Sequence, residues 1–321
     1  MSRHFADAPA VKAAADQRWM VVGSGGMFGH ELLAAATEAG INVSGIDYPD
    51  IDITRAVQTE ALLTGYDVIV NCASAGGIDA AEEDNSKTFA VNATGAANLA
   101  TAAASQRALL VHLSSQLVFP GDATDPIVEA TPIDPISAYG RTKAAAEWAV
   151  RANNPRHLIV RTAWPYSGRG QNFVTSIADF AIEQRQVALD NQGKRKRKQQ
   201  ELSTISIAND QFGAPTWAND VADLVVRLVL AQAPSGLYHA TAGGSTTWYD
   251  FARTIVASVN SPLEILPAPY ADLPPTEAKR PMYSVLAHDS IIAAGVAPIG
   301  DWQSRWEVAA PHIIPDLRNP A

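Results

Sequence analysis

Tyr139 and Lys143 have the residue types and the spacing of a proton-donating pair. Residues four apart on a helix share one face, so a helix here would bring the lysine ammonium beside the tyrosine phenol. A phenol alone exchanges its proton poorly at neutral pH, and a neighbouring cation stabilises its phenolate form. Such pairs also occur by chance on helix surfaces. The pair therefore indicates acid–base chemistry only if other segments build a site around it.

Ser115 is the third candidate catalytic residue. Residues 109–113 form an apolar run, predicted to be a strand, that leads directly into Ser114 and Ser115. In an open parallel sheet, ligands bind outside the carboxyl ends of the strands, so a hydroxyl at this position can reach a substrate. Capping of a helix or turn is the alternative role for this serine.

A glycine-rich turn near the amino terminus predicts a dinucleotide site. The apolar run 19–22 ends at this turn, and a helix is predicted after it, to about residue 39. Glycines three apart suit a tight turn in which the backbone approaches a pyrophosphate held at the start of a helix. A plain tight turn is the alternative. The residues expected to contact the cofactor here are Gly23, Gly26, Met27, Phe28 and Gly29.

Asp47 follows the next predicted strand, 43–46. A carboxylate at this distance from the turn can accept hydrogen bonds from the adenosine ribose, which favours NAD over NADP. NADP is still tolerated if the loop 48–50 moves aside. Further cofactor contacts are expected from Asp52 and Ile53 beside the adenine, from the segment after the third strand, and from a helix predicted over 88–104: Cys72, Ala73, Ser74 and Asn92.

The composition is that of a globular, acidic chain. It has 321 residues, of which 47% are hydrophobic, and a net charge of -9, which argues against nucleic acid or an anionic membrane as partner. The one cysteine excludes an internal disulfide. The seven histidines lack the spacing of metal ligands, so no metal site is predicted, and Mg²⁺ binding by carboxylates is left open.

Residues 1–18 are predicted to be a flexible extension. They carry scattered charges and no uninterrupted apolar core, so they do not resemble a signal peptide, and no run in the chain has the length of a membrane span. A cytoplasmic protein is expected. A homodimer is left open.

The order of the predicted elements indicates an α/β protein with a Rossmann-type, doubly wound parallel sheet and a smaller carboxyl-terminal α+β lobe. The nucleotide-binding domain is predicted over 19–165, with a segment of about 205–230 returning to it. Residues 166–321 are predicted to form mainly the substrate-binding lobe, including short strands at 237–239 and 263–266.

Residues 186–201 are interpreted as an insertion with five consecutive cations at 194–198. Like charges in a row repel and stay solvated, so a plain loop is the first interpretation. A docking point for an anionic partner and a clamp on a substrate pyrophosphate are the alternatives.

These motifs together resemble the extended short-chain dehydrogenase/reductase superfamily, and further segments narrow the resemblance to the RmlD-like dTDP-4-dehydrorhamnose reductases. The run DQFGAPT is the most specific of these segments. They extend over about residues 19–290 and comprise DVIVN at 67–71, IDAAE at 78–82, VFPG at 118–121, RTAW at 161–164, DQFGAPT at 210–216, GLYH at 236–239 and RP at 280–281.

The resemblance implies an NAD(P)H-dependent reduction of the C4 ketone of a nucleotide-linked 6-deoxy sugar, most simply dTDP-4-dehydrorhamnose. Tyr139 would protonate the developing alkoxide, Ser115 would hydrogen-bond the same oxygen, and Lys143 would hold the nicotinamide ribose and tune Tyr139. The substrate would lie in the cleft between the lobes. Its expected contacts are Gln116, Trp164 and Arg280. A core aromatic is the alternative role for Trp164, and a salt bridge is the alternative role for Arg280.

The sequence also departs from the family pattern. Gln116 and Leu117 replace an aspartate and a tyrosine, and Ala75-Gly76 replaces a His-Thr pair in the substrate loop. These changes leave the exact sugar open. They disfavour a dehydratase, which needs acid and base carboxyls after the serine. An epimerase of the same superfamily is an alternative, and so is a non-catalytic NADP-binding subunit resembling the β subunit of methionine adenosyltransferase.

Overall fold

The computed structural model describes residues 16–192 and 200–314. The basic run 194–198 lies outside the described residues. The strands are β1 Arg18–Val22, β2 Asn42–Ile46, β3 Val68–Asn71, β4 Leu109–Ser115, β5 His157–Thr162, β6 Pro165–Tyr166, β7 Thr204–Ala208, β8 Phe212–Gly213, β9 Thr216–Trp217, β10 Gly236–His239, β11 Thr246–Thr247 and β12 Glu264–Ala268.

The helices flank these strands. A π-helical segment, Ala90–Thr94, lies between α4 and α5, and short 3-10 turns occupy Gln116–Val118 and Tyr270–Asp272. The α-helices are α1 Met27–Glu38, α2 Ala56–Leu62, α3 Ala80–Glu83, α4 Asn85–Phe89, α5 Gly95–Ser105, α6 Ala138–Asn153, α7 Phe173–Asn191, α8 Ala218–Leu230, α9 Trp248–Ser258, α10 Asp289–Ala293 and α11 Trp302–Ile313.

The chain divides into two compact units. Unit 1 comprises the chain up to Ala163 with Ala218–Thr241 and Thr276–Ile299, and unit 2 comprises Trp164–Trp217, Ala242–Pro275 and the chain from Gly300. One returning segment of about 205–230 was expected, and the rest of 166–321 was expected mainly in the substrate lobe. The structure instead returns two segments to unit 1, α8 with β10 and Thr276–Ile299. Within the first of them, α8 packs on α1 and β10 pairs with β5.

Unit 1 is built on a parallel sheet whose described strands run in the order β10-β5-β4-β3-β1-β2. Ile69, Leu110 and Ile159 on three neighbouring strands are fully buried, as expected for strands covered on both faces. Since β2 and β3 pair on opposite sides of β1, the strand order reverses there. The carboxyl ends beside this reversal form the crevice in which ligands of such sheets bind.

Two predicted elements differ in the structure. The single helix predicted over 88–104 is three consecutive segments, because the π-helical turn inserts an extra residue between α4 and α5. The strand predicted at 237–239 was placed in the smaller lobe, and this was wrong: it is β10 of the main sheet. Its residues Tyr238 and His239 are buried beside β5.

Unit 2 contains the long helix α7, the helices α9 and α11, and pairs of short strands: β6 with β9, β8 with β11, and β7 with β12. Asn172 caps α7 through its side chain, which accepts hydrogen bonds from the backbone amides of Val174 and Thr175. The helix continues to Asn191, so the first part of the predicted insertion, 186–191, is helical.

No helix within the described ranges has both the length and the apolar character that crossing a membrane requires.

Candidate active site

The helix α6 places Tyr139 and Lys143 on one face, as the spacing predicted. The Ser137 side chain caps this helix by accepting a hydrogen bond from the Gly140 amide. A Cβ on Gly140 would lie 2.2 Å from the Leu117 carbonyl oxygen, so glycine lets α6 approach the segment that follows β4. The close packing draws Lys143 into the interior, where its side chain is buried.

Lys143 and Tyr139 are each held by one described contact. The Lys143 Nζ atom donates to the Leu113 carbonyl oxygen at 2.6 Å, near the end of β4. The Tyr139 Oη atom lies 3.1 Å from Ser74 Oγ, just beyond the end of β3. The helix therefore presents its phenol and its ammonium to the carboxyl ends of two neighbouring strands.

Ser115 is the last residue of β4, and its hydroxyl is oriented by its neighbours. The Ser115 hydroxyl donates to Gln116 Oε1 at 2.9 Å and accepts from the Leu117 amide at 3.2 Å. Gln116 is mostly buried. Ser115, Tyr139 and Lys143 therefore all lie on elements that border the crevice in unit 1.

The glycine-rich turn has the shape that a dinucleotide requires. Gly23 has a φ of +80°, and a Cβ on it would lie 2.6 Å from the Ala73 amide nitrogen. A Cβ on Gly29 would lie 2.1 Å from the Gly23 carbonyl oxygen. Gly26 caps α1 without a side-chain hydrogen bond, and among the described residues no side chain accepts from the amides of Met27 and Phe28. This exposed backbone fits a pyrophosphate.

Asp47 is held directly against that turn. Its Oδ2 atom accepts from the Gly25 amide at 2.8 Å, and its Oδ1 atom accepts from the Tyr48 amide at 2.8 Å. The carboxylate is therefore fixed beside the position expected for the adenosine ribose. Carboxylate and turn together fit a dinucleotide, with Asp47 on its ribose.

A family model for the RmlD substrate binding domain matches residues 17–196 and 194–313, which together cover most of the chain. The chain belongs to this family.

Several curated relatives of this chain are named as reductases of dTDP-linked sugars. It is 36% identical to a dTDP-4-keto-6-deoxy-D-glucose reductase of Streptomyces niveus over 93% of this chain and 98% of the relative. It is 35% identical to a dTDP-4-dehydrorhamnose reductase of Streptomyces griseus over 89% of this chain and 91% of the relative. The structure of a Bacillus anthracis dTDP-4-dehydrorhamnose reductase in complex with NADP superposes with a TM-score of 0.81, at 28% identity, covering 92% and 98% of the two chains.

The remaining expected cofactor residues of the RmlD-family chain differ in their placement. Asp52 accepts from the Thr54 hydroxyl and amide, which lowers the pKa of its carboxyl, and Ile53 is buried against Gly95. In this structure Asp52 stabilises its own loop, and Ile53 packs the loop against α5. Cys72 is a free thiol whose pKa is raised by burial, and Ala73 lies directly against Gly23.

Asn92 lies in the π-helical turn, and its described hydrogen bonds do not include one to Lys143. Its Oδ1 atom accepts from the Ala75 amide at 2.8 Å, and its Nδ2 atom donates to Thr142 Oγ1 at 3.0 Å. The buried amide thus joins the segment after β3 to α6. Asn92 was expected to contact the cofactor; in this structure its side chain links the Ala75 amide to the Thr142 hydroxyl.

Arg280 and Trp164, two of the three expected substrate residues, also have defined neighbours. Arg280 forms a salt bridge with Asp79, as its alternative interpretation predicted, while its Nη1 atom is buried without a described hydrogen-bond partner. Trp164, in unit 2, is 7% exposed and stacks on Trp248 with ring centroids 3.6 Å apart. Its φ is +44°, a strained value for a bulky side chain, and its ring packs against the space left by Gly213.

Glu147 lies one turn beyond Lys143 on the same face of α6 and was not predicted from the sequence. Glu147 and Arg161 form a buried, bidentate ion pair with N–O distances of 2.8 and 2.7 Å. The Ser114 hydroxyl donates to Glu147 Oε1 at 2.6 Å. The repeated spacing of Tyr139, Lys143 and Glu147 was the available signal, because an acidic residue on a buried helix face requires a partner.

Two buried histidines should make the stability of the RmlD-family chain depend on pH. Burial lowers the pKa of His239 from 6.5 to about 3, aided by the charge of Arg161, and burial likewise lowers the pKa of His112. Unfolding exposes both rings to water. Below about pH 6.5 the exposed rings of the unfolded chain bind protons, whereas the buried rings of the folded chain stay neutral. The free energy of unfolding should be highest above about pH 6.5 and fall on acidification by up to about 1.4 kcal/mol per pH unit for each histidine.

Urea denaturation between pH 7.5 and pH 5 measures this slope. His239→Gln keeps a hydrogen-bond acceptor for Arg161 and removes one titrating ring, so its slope should be shallower than that of the wild type. Equal slopes would contradict the assignment.

Proposed function

We propose that the protein is a reductase that converts the C4 ketone of a dTDP-linked 6-deoxy-4-keto sugar into an alcohol, with dTDP-4-dehydrorhamnose as the first substrate to test. The observation that carries this proposal is the joint placement of Ser115, Tyr139 and Lys143 at the carboxyl ends of the sheet, beside a turn that fits a dinucleotide. The relatives named as reductases of such sugars support the substrate class.

The residues divide the work of a carbonyl reduction. A bound reduced nicotinamide would supply the hydride. As negative charge develops on the substrate oxygen, the Ser115 hydroxyl can turn from Gln116 to donate a hydrogen bond to it, and Tyr139 gives it a proton. Lys143 stabilises the phenolate that remains. The product alcohol has then gained one hydride on carbon and one proton on oxygen.

The proposed substrate contacts follow from the described surroundings. Gln116 holds Ser115 through its oxygen, which leaves its amide nitrogen to donate to the sugar. The buried Nη1 atom of Arg280 is a donor in need of an acceptor, and Asp79 holds its guanidinium in place, so Arg280 suits a phosphate oxygen. Trp164 is still proposed to contact the sugar.

The test is substrate-dependent oxidation of the reduced cofactor, followed by absorbance. NADH and NADPH are supplied separately with dTDP-4-keto-6-deoxy sugar prepared in situ, and the product is identified by mass spectrometry. A reductase consumes one cofactor per product formed. An epimerase would change the sugar without net consumption, and a regulatory subunit would bind the cofactor without either change.

We also propose that NADH is the better cofactor, because Asp47 would repel the 2'-phosphate of NADPH. Asp47→Asn keeps the shape of the side chain and an acceptor for Gly25 but removes the charge. We expect the ratio of kcat/KM for NADPH to that for NADH to rise about tenfold in this variant, which corresponds to the loss of one screened charge repulsion. Both cofactors must be compared because the Bacillus anthracis relative was solved with NADP.

The control for this prediction is Asp50→Asn, which removes one charge from the same loop without touching the turn. An unchanged ratio in Asp47→Asn would contradict the role of Asp47 in cofactor choice. A change of equal size in both variants would assign the effect to the overall charge of the loop.

A further inference from the structure

The short helix α3 and the residue before it carry two carboxylates that bind different segments of unit 1. Asp79 precedes Ala80–Glu83 with a φ of -74° and a ψ of -45°, so it already has helical geometry. Residues three apart in that geometry share one face, which places Asp79 and Glu82 side by side. A single helical turn therefore makes both sets of contacts.

Asp79 holds the segment that carries Arg280. Its Oδ1 atom accepts from the Ala278 amide at 3.1 Å, and its Oδ2 atom accepts from the Arg280 Nη2 atom. The next residue is also fixed, because a Cβ on Gly121 would lie 2.1 Å from the Pro281 Cβ atom. In the part of the chain that the structure describes, the buried Nη1 atom of Arg280 has no hydrogen-bond partner. Asp79 thus orients a guanidinium that keeps one donor for a ligand.

Glu82 supports the start of α6, the helix that carries Tyr139. Its Oε1 atom accepts from the amide of Ala138, the first residue of that helix, at 2.7 Å. The first amides of a helix have no partner within it, and a carboxylate beside them also interacts favourably with the helix dipole. The Ser137 hydroxyl accepts from the Gly140 amide. The backbone amides on both sides of Tyr139 are therefore held.

Stability alone does not account for these two carboxylates. Their side chains are partly exposed, 44% for Asp79 and 27% for Glu82. Ion pairs at such positions contribute little to the free energy of unfolding. They can still fix an orientation, and small displacements of reacting groups cost much in rate. The contacts therefore suit a role in placing Arg280 and Tyr139.

We propose that Asp79 and Glu82 are positioning residues, an inference that rests on the proposed reductase function. Asp79 aims Arg280 at a phosphate of the nucleotide sugar, and Glu82 holds Tyr139 where the sugar ketone is protonated. Because both carboxylates lie on one helical turn, they fix the phosphate-binding group relative to the proton donor. The two ends of the substrate are thus matched to one rigid element.

The experiment measures steady-state turnover and, separately, the affinity for dTDP by calorimetric titration. Asp79→Ala leaves Arg280 without its orienting partner. We expect KM for the keto sugar and Kd for dTDP to rise about tenfold in this variant, with an unchanged kcat, as the loss of one aimed hydrogen bond to a charged group predicts. In an Arg280→Ala background, Asp79→Ala should add no further loss, because Asp79 acts through Arg280.

Glu82→Ala should have the opposite signature. The loss of an acceptor for the Ala138 amide loosens the start of α6, so we expect kcat to fall about tenfold with unchanged KM and dTDP affinity. Glu82→Gln keeps an oxygen for that amide and should retain most of the wild-type kcat. Glu83→Ala is the matched control, because it removes the same charge from the next, exposed residue of α3 and should behave like the wild type.

The division between KM and kcat separates positioning from a merely structural role, which would change both parameters in both variants. Urea denaturation establishes that each variant is folded. Wild-type dTDP affinity in Asp79→Ala, wild-type kcat in Glu82→Ala, or the same change in both variants would overturn the proposal and leave the reductase intact. Absence of turnover in the wild type would overturn the reductase function and the role of Glu82 with it, whereas the dTDP titration would still decide the role of Asp79.

Discussion

Replacing Tyr139 with phenylalanine should reduce kcat by about 10²–10⁴-fold, the usual contribution of a positioned general acid. The phenyl ring keeps the shape of the side chain on α6 and removes only the hydroxyl that contacts Ser74. Folding, cofactor affinity and substrate KM should therefore remain near their wild-type values. The measurement is cofactor oxidation with the keto sugar, together with a fluorescence titration of cofactor binding.

Tyr66→Phe is the matched control, because it makes the same chemical change in unit 1. Tyr66 precedes β3, at the amino edge of the sheet, and its ring lies under the Arg18 guanidinium at 4.9 Å. This variant should turn over like the wild type. Retention of wild-type kcat in Tyr139→Phe would show that the phenol is not the proton donor and would remove the central residue from the proposed mechanism.

Glu147→Gln should destabilise the protein by about 3–5 kcal/mol, the usual cost of removing one partner from a buried ion pair. The Arg161 guanidinium would keep its charge in the interior and lose a carboxylate that binds it through two hydrogen bonds. Its remaining polar neighbours are the Glu129 carbonyl oxygen and the His239 ring. Urea denaturation at pH 7.5 measures the loss.

The double variant Glu147→Leu with Arg161→Met separates pairing from packing. Replacement of both charges by apolar groups of similar volume is often tolerated, so the double variant should be more stable than Glu147→Gln. Arg151→Met, at an exposed position on the same helix, is the control and should change the stability little. A single variant as stable as the wild type would contradict a structural role for the pair.

The ion pair also bears on catalysis through α6. Glu147 joins the helix to Ser114 on β4 and to Arg161 on β5, two turns beyond Tyr139. The Glu147→Gln molecules that remain folded should therefore have a lower kcat than folded wild-type molecules. Activity measured per folded molecule tests this.

Much of unit 1 was predictable because local patterns and tertiary packing agree there. The apolar runs before the glycine turn, before Asn71 and before Ser115 are strands in the structure, and the helix bearing Tyr139 and Lys143 begins at a serine cap. The Rossmann-type fold and the RmlD family were both confirmed. An apolar run that ends in glycine or polar residues indicates two things at once. The run itself predicts a buried parallel strand, and the residues that follow it mark the crevice at the strand's carboxyl end.

The parts that sequence did not predict depend on contacts distant along the chain. Ser74 meets Tyr139, and Glu147 meets Arg161, only because the strand order places their elements side by side. The π-helical turn around Asn92 cannot be distinguished from an ordinary helix by periodicity. The strands of unit 2 are mostly two residues long, too short for an alternating pattern to appear.

The stacked indoles of Trp164 and Trp248 give unit 2 an optical signature of its own. Two parallel rings 3.6 Å apart couple their excited states, which produces paired bands of opposite sign in the circular dichroism spectrum. Trp19 in unit 1 is buried in β1 without a described aromatic partner, so it adds no such couplet. The couplet thus reports on unit 2 alone, and comparing its melting curve with that of the helical signal shows whether the two units unfold as one cooperative system or in separate steps.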